Sequence, residues 1–203
     1  FDTVDAVFAE IRKYNLLLQC LGPDLIARSE EFVVEYTGTG KSQIVLCGLQ
    51  EYIDGQVLDP WRMQDARFLS DTFQQAALPE QVSGLVETAK NRIAMFVHRV
   101  RSMIEKTGFI PDLAGVGNLM LTRDGQIKLV DINNIAAFPR DNSIFIDDKG
   151  YPSCDVSIDV LWRIETHLLG QPAKTDDPVY QRFLSPERRQ KVKALEKEFY
   201  SAC

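Results

Sequence analysis

"GNLMLTRDGQIKLVDINN", residues 117–134, decides the fold. Asp124-Gly125 lies between two runs of alternating apolar and polar residues, which predicts a β-hairpin over 119–131. A hairpin needs that centre. It does not need Asn118 at its entrance, or Asp131, Asn133 and Asn134 at its exit. Folding the ribbon brings Asn118 and Asp131, thirteen positions apart, back onto each other. Two hard oxygen ligands at the open end of a rigid ribbon suit Mg²⁺ or Mn²⁺ carrying a nucleotide's phosphates. A third oxygen group, Asp112, stands six positions before Asn118. The competing reading is a plain two-stranded ribbon whose polar ends are only solvated.

Outward from the hairpin, the chain reads as mixed α and β. "FDTVDAVFAEIRKYNLLLQCLGP" predicts a helix capped by Asp2 or Thr3 and stopped at Gly22-Pro23. Val4, Val7, Phe8, Ile11, Tyr14, Leu18 and Leu21 form its apolar stripe. "EFVVEY" and "SQIVLCGLQEYI" predict a second hairpin around the Gly-rich "TGTGK". From Asp59 the texture is helical: one helix over 59–77 with Pro60 at its start, then a long one between Pro79 and Gly108. A loop over about 136–154 follows the central hairpin. Two further helices are predicted, one in "DVSIDVLWRIETHLLG" and one from Ser185-Pro186 onward. Gly55 is a candidate hinge between a first part, 1–55, and a second, 56–203.

With 203 residues, 45% of them hydrophobic, the chain can bury a core as one large domain or two small lobes. A net charge of −6 argues against a nucleic-acid partner, which selects clustered Lys and Arg. No run of about 18 apolar residues is present, so no membrane span is expected. Cys20, Cys47, Cys154 and Cys203 are scattered without a CxxC pair and read as reduced thiols of a cytoplasmic protein. Phe1-Asp2 opens the chain without an initiator Met or a charged leader, so no signal peptide is visible and residues upstream are expected.

Three other motifs fail on their chemistry. "TGTGKS", 37–42, matches the end of a phosphate-binding loop, but Glu35 stands where the first glycine belongs, and strands flank it on both sides. Lys41 therefore reads as a turn residue. His98 and His167 lie far apart, without a second His or Cys at zinc spacing and without a Ser or Cys nucleophile beside them.

The order Asp112, short loop, Asn118, hairpin, Asp131 resembles the catalytic and metal-binding loops of protein-kinase-like phosphotransferases. "PDLAGVGNLMLTRDGQIKLVDINN" is most similar to the aminoglycoside- and choline-kinase branch or to small bacterial kinase-like proteins. The resemblance implies an α+β, two-lobed kinase-like fold with a truncated N-lobe and a mostly helical C-lobe. It implies ATP and Mg²⁺ as cofactors and an unidentified acceptor. Asn118 and Asp131 would hold the metal, and Asp112 would orient the acceptor hydroxyl. "LQEYIDGQVL" is similar to the linker between kinase lobes, with Glu51, Tyr52 and Ile53 binding adenine through their backbone. Glu10 is the candidate for the helix Glu that pairs with an ATP-binding Lys. Asp155, in "CDVSIDVLW", would accept backbone N–H groups of the 110–118 loop.

The chain also departs from the family pattern. It lacks the glycine-rich loop and the strand carrying the ATP-binding Lys; Lys41 lies in the wrong hairpin, and Lys13 shares a helix with Glu10. The loop from Asp112 to Asn118 is one residue longer than usual and contains no Lys, Arg or His. The alternative function is therefore a degenerate kinase fold, a pseudokinase, that serves as a binding or regulatory module for a protein partner.

Overall fold

The computed structural model describes residues 1–38, 40, 42–63, 65, 67–75, 77–172 and 176–202; Lys41 and Cys203 lie outside them. The fold is mixed α+β, with helices packed around three small antiparallel sheets. Helix α1, Val4–Leu21, begins at Thr3, whose Oγ1 accepts the Ala6 N–H at 3.2 Å, and ends at Gly22 with φ 79°. Its second half enters the core through Tyr14, Leu17 and Leu21, but Val4 and Phe8 of the expected stripe remain about half exposed. Strands β1, Ser29–Tyr36, and β2, Gln43–Gln50, form the first hairpin in the expected place.

The central hairpin is also where the sequence puts it. Strands β5, Leu119–Thr122, and β6, Ile127–Leu129, pair around a turn in which Gly125 takes φ 81°. Leu119, Leu121, Ile127 and Leu129 all point into the core. Strand β3, Gly55–Val57, pairs with the outer side of β5. Gly55 is thus part of a sheet: a Cβ there would lie 2.3 Å from Leu121 O. Close backbone approach, not hinge freedom, explains this glycine. One continuous core joins Tyr14, Leu17 and Leu21 of α1 to residues as distant as Phe183.

Helical expectations hold except in one segment. Helix α2 covers only Phe68–Gln74, not 59–77. Asp59 and Asp65 each accept the N–H two residues on, from Trp61 and Arg67, and these side-chain turns compete with helix before Phe68. Helix α3, Pro79–Thr107, is central and stops at left-handed Gly108. Strands β4, Phe109–Pro111, and β7, Ile135–Ala137, form a third ladder that the alternation of the sequence is too short to announce. Helix α4, Ser153–Arg163, runs into a π-helical turn, Ile164–Leu168, followed by α5, Pro178–Phe183, and α6, Pro186–Ala202. Among the described residues no helix is long and apolar enough to cross a membrane.

The π-helical turn places Glu165, only 2% exposed, against Arg101 of α3. Arg101 Nε and Nη2 donate to the two Glu165 oxygens at 2.8 and 3.1 Å, and Nη1 donates to Asp177 at 2.9 Å. Tyr180 Oη donates to Glu165 Oε2 at 2.9 Å. This network ties α3, α4 and α5 together. Removing Glu165 leaves the Tyr180 hydroxyl without its acceptor and part of the Arg101 guanidinium unpaired, while Asp177 still holds its Nη1, at a cost of about 3–5 kcal/mol. Glu165→Ala is expected to lower the unfolding free energy by that amount, read as a lower urea midpoint with an unchanged slope.

Candidate functional site

The site is assembled by the short β4–β7 ladder and the open end of the central hairpin. Pairing of Pro111 with Ile135 carries the chain to Asp112, whose N–H donates to Asn134 O at 3.0 Å. Asp112 Oδ1 then accepts the Ala114 N–H at 2.9 Å, a side-chain turn that fixes the start of the loop. The loop closes on itself through Asn118, whose N–H donates to Gly115 O at 3.1 Å and whose Nδ2 donates to Asp112 O at 3.0 Å. Gly115 is needed for this fold-back: a Cβ there would lie 2.5 Å from Asn118 Oδ1. Gly117, at φ 101°, makes the turn into β5.

On the far side of the hairpin, Val130 N–H donates to Asn118 O at 2.8 Å and leads the chain directly to Asp131. The two Asp131 oxygens accept from Asn133 N–H at 3.4 Å and Asn134 Nδ2 at 3.0 Å. Asn118, Asp131 and Asp112 therefore gather at one place through backbone hydrogen bonds. Burial raises the Asp112 carboxyl above its ordinary range; the Ala114 N–H opposes this, Asp131 and Asp147 add to it, and Lys149 opposes it.

A cavity of about 740 Å³ opens beside Asp112, between α1 and the segment after β7. Glu10 and Lys13 line it from the helix, Asn134 from the hairpin exit, and Asp147 and Asp148 from the loop. Glu10 is paired within its own helix, with Lys13 Nζ 2.8 Å from its Oε1. Glu51, Tyr52 and Ile53 do not line this cavity. The Glu51 N–H is already given to Arg28 O at 2.8 Å, so only its carbonyl remains for a ligand. Its carboxylate, between Lys128 and Arg28, is held below its ordinary value against the opposing effect of burial. Tyr52 is 90% exposed.

Asp155 has a different partner from the one expected. It is buried, but its carboxylate accepts a two-pronged bond from Arg188, with Nη2 3.1 Å from Oδ2. The same guanidinium donates to Asn142 O and Ser143 O. The N–H of Leu113 goes instead to Ser157 Oγ, at 3.0 Å and fully buried. Two residues along a helix is far enough to turn the contact from Asp155 to Ser157, and a hydroxyl suffices for one N–H. Ser157, Asn134, Asp147 and Lys149 are thus site residues that the sequence reading left without roles. Asn134 alone had a signal, its place at the hairpin exit.

The donors at the hairpin's open end are all oxygens, as a hard cation requires. Among the described residues no three His, Cys, Asp or Glu side chains approach closely enough to form a metal cage. A site of one amide and one or two carboxylates fits Mg²⁺ held jointly with phosphates, which seldom uses an all-protein cage. Compared with known proteins, the chain matches no family model, and no curated protein shows significant sequence similarity to it.

Two outcomes test this arrangement. Asp155→Ala leaves the Arg188 guanidinium buried without its counter-charge and is expected to cost about 3–5 kcal/mol in denaturant unfolding. Ser157→Ala strands one buried N–H and should cost about 1–3 kcal/mol. Asp112 has the opposite sign. Its folded form binds its proton more tightly than the unfolded chain does, so stability falls as pH rises from the unfolded to the folded pKa. Asp112→Asn is therefore expected to melt higher than the parent at pH 7, with the difference vanishing below pH 4. A lower melting temperature at pH 7 would contradict the assigned charge environment.

Proposed function

We propose that the chain is a kinase-like phosphotransferase of two unequal lobes, using ATP and Mg²⁺ on an acceptor whose identity is open. The observation that carries this reading is the bond from the Asn118 amide to the Asp112 carbonyl. It joins the loop bearing a half-buried carboxylate to the hairpin end bearing Asp131. Phosphoryl transfer depends mainly on positioning and on neutralising charge, and this loop supplies positioning through its backbone.

Asn118 Oδ1 and the Asp131 carboxylate are the groups that would hold Mg²⁺. When bound, the ion supplies positive charge to the phosphate oxygens. Asp112 orients the acceptor hydroxyl and takes its proton at the carboxylate. A raised affinity for that proton suits the role. Adenine would contact the Glu51 carbonyl and the backbone of Tyr52 and Ile53. Glu10 faces the cavity as the partner for a cation near the phosphates.

A second reading, the pseudokinase binding module, has its own support. Phe32, Val34, Tyr36 and Leu49 leave an apolar surface on the first hairpin that catalysis does not need. Calorimetric titration with Mg²⁺ and a non-hydrolysable ATP analogue separates the two. Asp131→Asn is expected to abolish Mg²⁺-dependent nucleotide binding. Asp112→Asn should keep binding and lose about 10²–10⁴-fold in turnover. Unchanged affinity in Asp131→Asn would leave the hairpin as a hairpin only and favour the module.

A further inference from the structure

Helices α4 and α6 lie side by side and run in opposite directions. Arg189 meets Asp159, Val192 packs with Val156, and Glu196 meets Tyr151 just ahead of α4. A cavity of about 310 Å³ lies between them, at the small end of the range for ligand sites. Its floor is apolar, built from the buried side chains of Val156, Phe183 and Val192. Trp61 stands at the end where α4 finishes, held by a turn in which its N–H donates to Asp59 Oδ1 at 2.9 Å.

Two guanidiniums meet at that end. Arg163 lies over the Trp61 ring, 5.2 Å from its centroid, and Arg189 lies over the Trp162 ring at 5.4 Å. Stacking occupies the face of a guanidinium and leaves the N–H donors along its edge available. Both cations share one carboxylate. Asp159 Oδ2 accepts from Arg163 Nε at 3.2 Å, and Oδ1 accepts from Arg189 Nη2 at 2.8 Å. Among the described residues these guanidiniums make no other hydrogen bond, so each keeps unpaired donors. The charges do not cancel here, because two cations face one anion. Elsewhere in the lining they do: Asp155 is matched by Arg188, and Glu196 lies one helical turn from Lys193 on α6.

We propose that this cavity binds a small aromatic monocarboxylate. The ligand's ring lies on Val156, Phe183 and Val192 beside the Trp61 indole, and its carboxylate accepts N–H donors from Arg163 and Arg189. A carboxylate meets a guanidinium through two parallel bonds, and one negative charge is what the site lacks. A cationic ligand would meet the excess positive charge, and inorganic phosphate would leave the apolar floor uncovered. The small volume favours a free acid over the C-terminus of a protein chain. The proposal is independent of the nucleotide site, since Asp112, Asn118 and Asp131 do not line this cavity.

The chain's two tryptophans, Trp61 and Trp162, both lie against these guanidiniums, so tryptophan fluorescence reads the site directly. The test is a fluorescence titration of the chain with phenylpropionate. A saturable change is expected, with affinity about tenfold or more weaker for phenylpropanol, which keeps the ring and loses the charge. Arg163→Gln and Arg189→Gln each remove the excess charge and should each weaken phenylpropionate binding about tenfold or more. Asp159→Asn raises the excess charge and should tighten binding, whereas a merely structural role for the cluster predicts weakening. Arg163 and Arg189 are partly exposed, so the fold should tolerate their replacement, and the acid–alcohol comparison leaves the protein unaltered. The proposal would be overturned by absence of a saturable change, equal affinity for acid and alcohol, or parental affinity in both arginine variants. Weaker binding in Asp159→Asn, or tighter binding of a short peptide ending in phenylalanine, would also overturn it.

Discussion

Strand β6 is bonded along both of its edges, and the arrangement of the molecule follows from that. On one side Leu129 pairs with Leu119 of β5. On the other, Leu129 N–H donates to Leu25 O and Ala27 N–H donates to Leu129 O, each at 2.8 Å. The segment that leaves α1 is thereby joined to the central hairpin. Leu25, Ile26 and Leu129 are all buried, so each of these peptide groups would cost about 1–3 kcal/mol if left unpaired. A one-residue slip of β6 would also turn Ile127 and Leu129 out of the core. Register, helix placement and burial are one constraint here.

The candidate site inherits its geometry from that register. With Leu119 opposite Leu129, the next residues outward are Asn118 and Val130, and the Val130 N–H closes on Asn118 O. Asp131 is then the first residue free of the ladder. From the other direction, β7 holds β4, and the Asp112 N–H closes on Asn134 O. Two very short ladders meeting at one corner bring the backbone of Asp112, Asn118 and Asp131 together. Buttressing comes from α4 through Ser157 and from the buried Asp155–Arg188 pair, which also grips the carbonyls of Asn142 and Ser143.

The first hairpin has no such double anchorage. It meets the rest of the structure through Phe1, Tyr14, the Gln50 amide on Val130 O and the ion pairs of Glu51. Its apolar residues remain largely uncovered, and so do Val4 and Phe8 of α1. The same chain thus combines a corner fixed by backbone hydrogen bonds with a ribbon held mainly at its base. Backbone bonding is densest where Asn118, Asp112 and Asp131 lie close along the chain.

What the sequence by itself determined was local. Asp124-Gly125 between alternating residues specified the central hairpin, Thr3 and Gly22 bounded α1, and Pro79 and Gly108 bounded α3, because caps and turns depend on near neighbours. Asn118, Asp131 and Asp112 were legible as candidates from spacing, since a hairpin returns its ends to one place. Tertiary structure decided the remainder. The β4–β7 ladder is three residues a side, too short for periodicity to register. Asp59 and Asp65 engage the N–H groups of Trp61 and Arg67 in side-chain bonds that compete with helical ones. The partner of Asp155 lay thirty-three residues away in Arg188, and the Leu113 N–H found Ser157 forty-four residues on. Pairings at that distance depend on how helices pack, and packing answers to the whole core at once, beyond the reach of any local pattern.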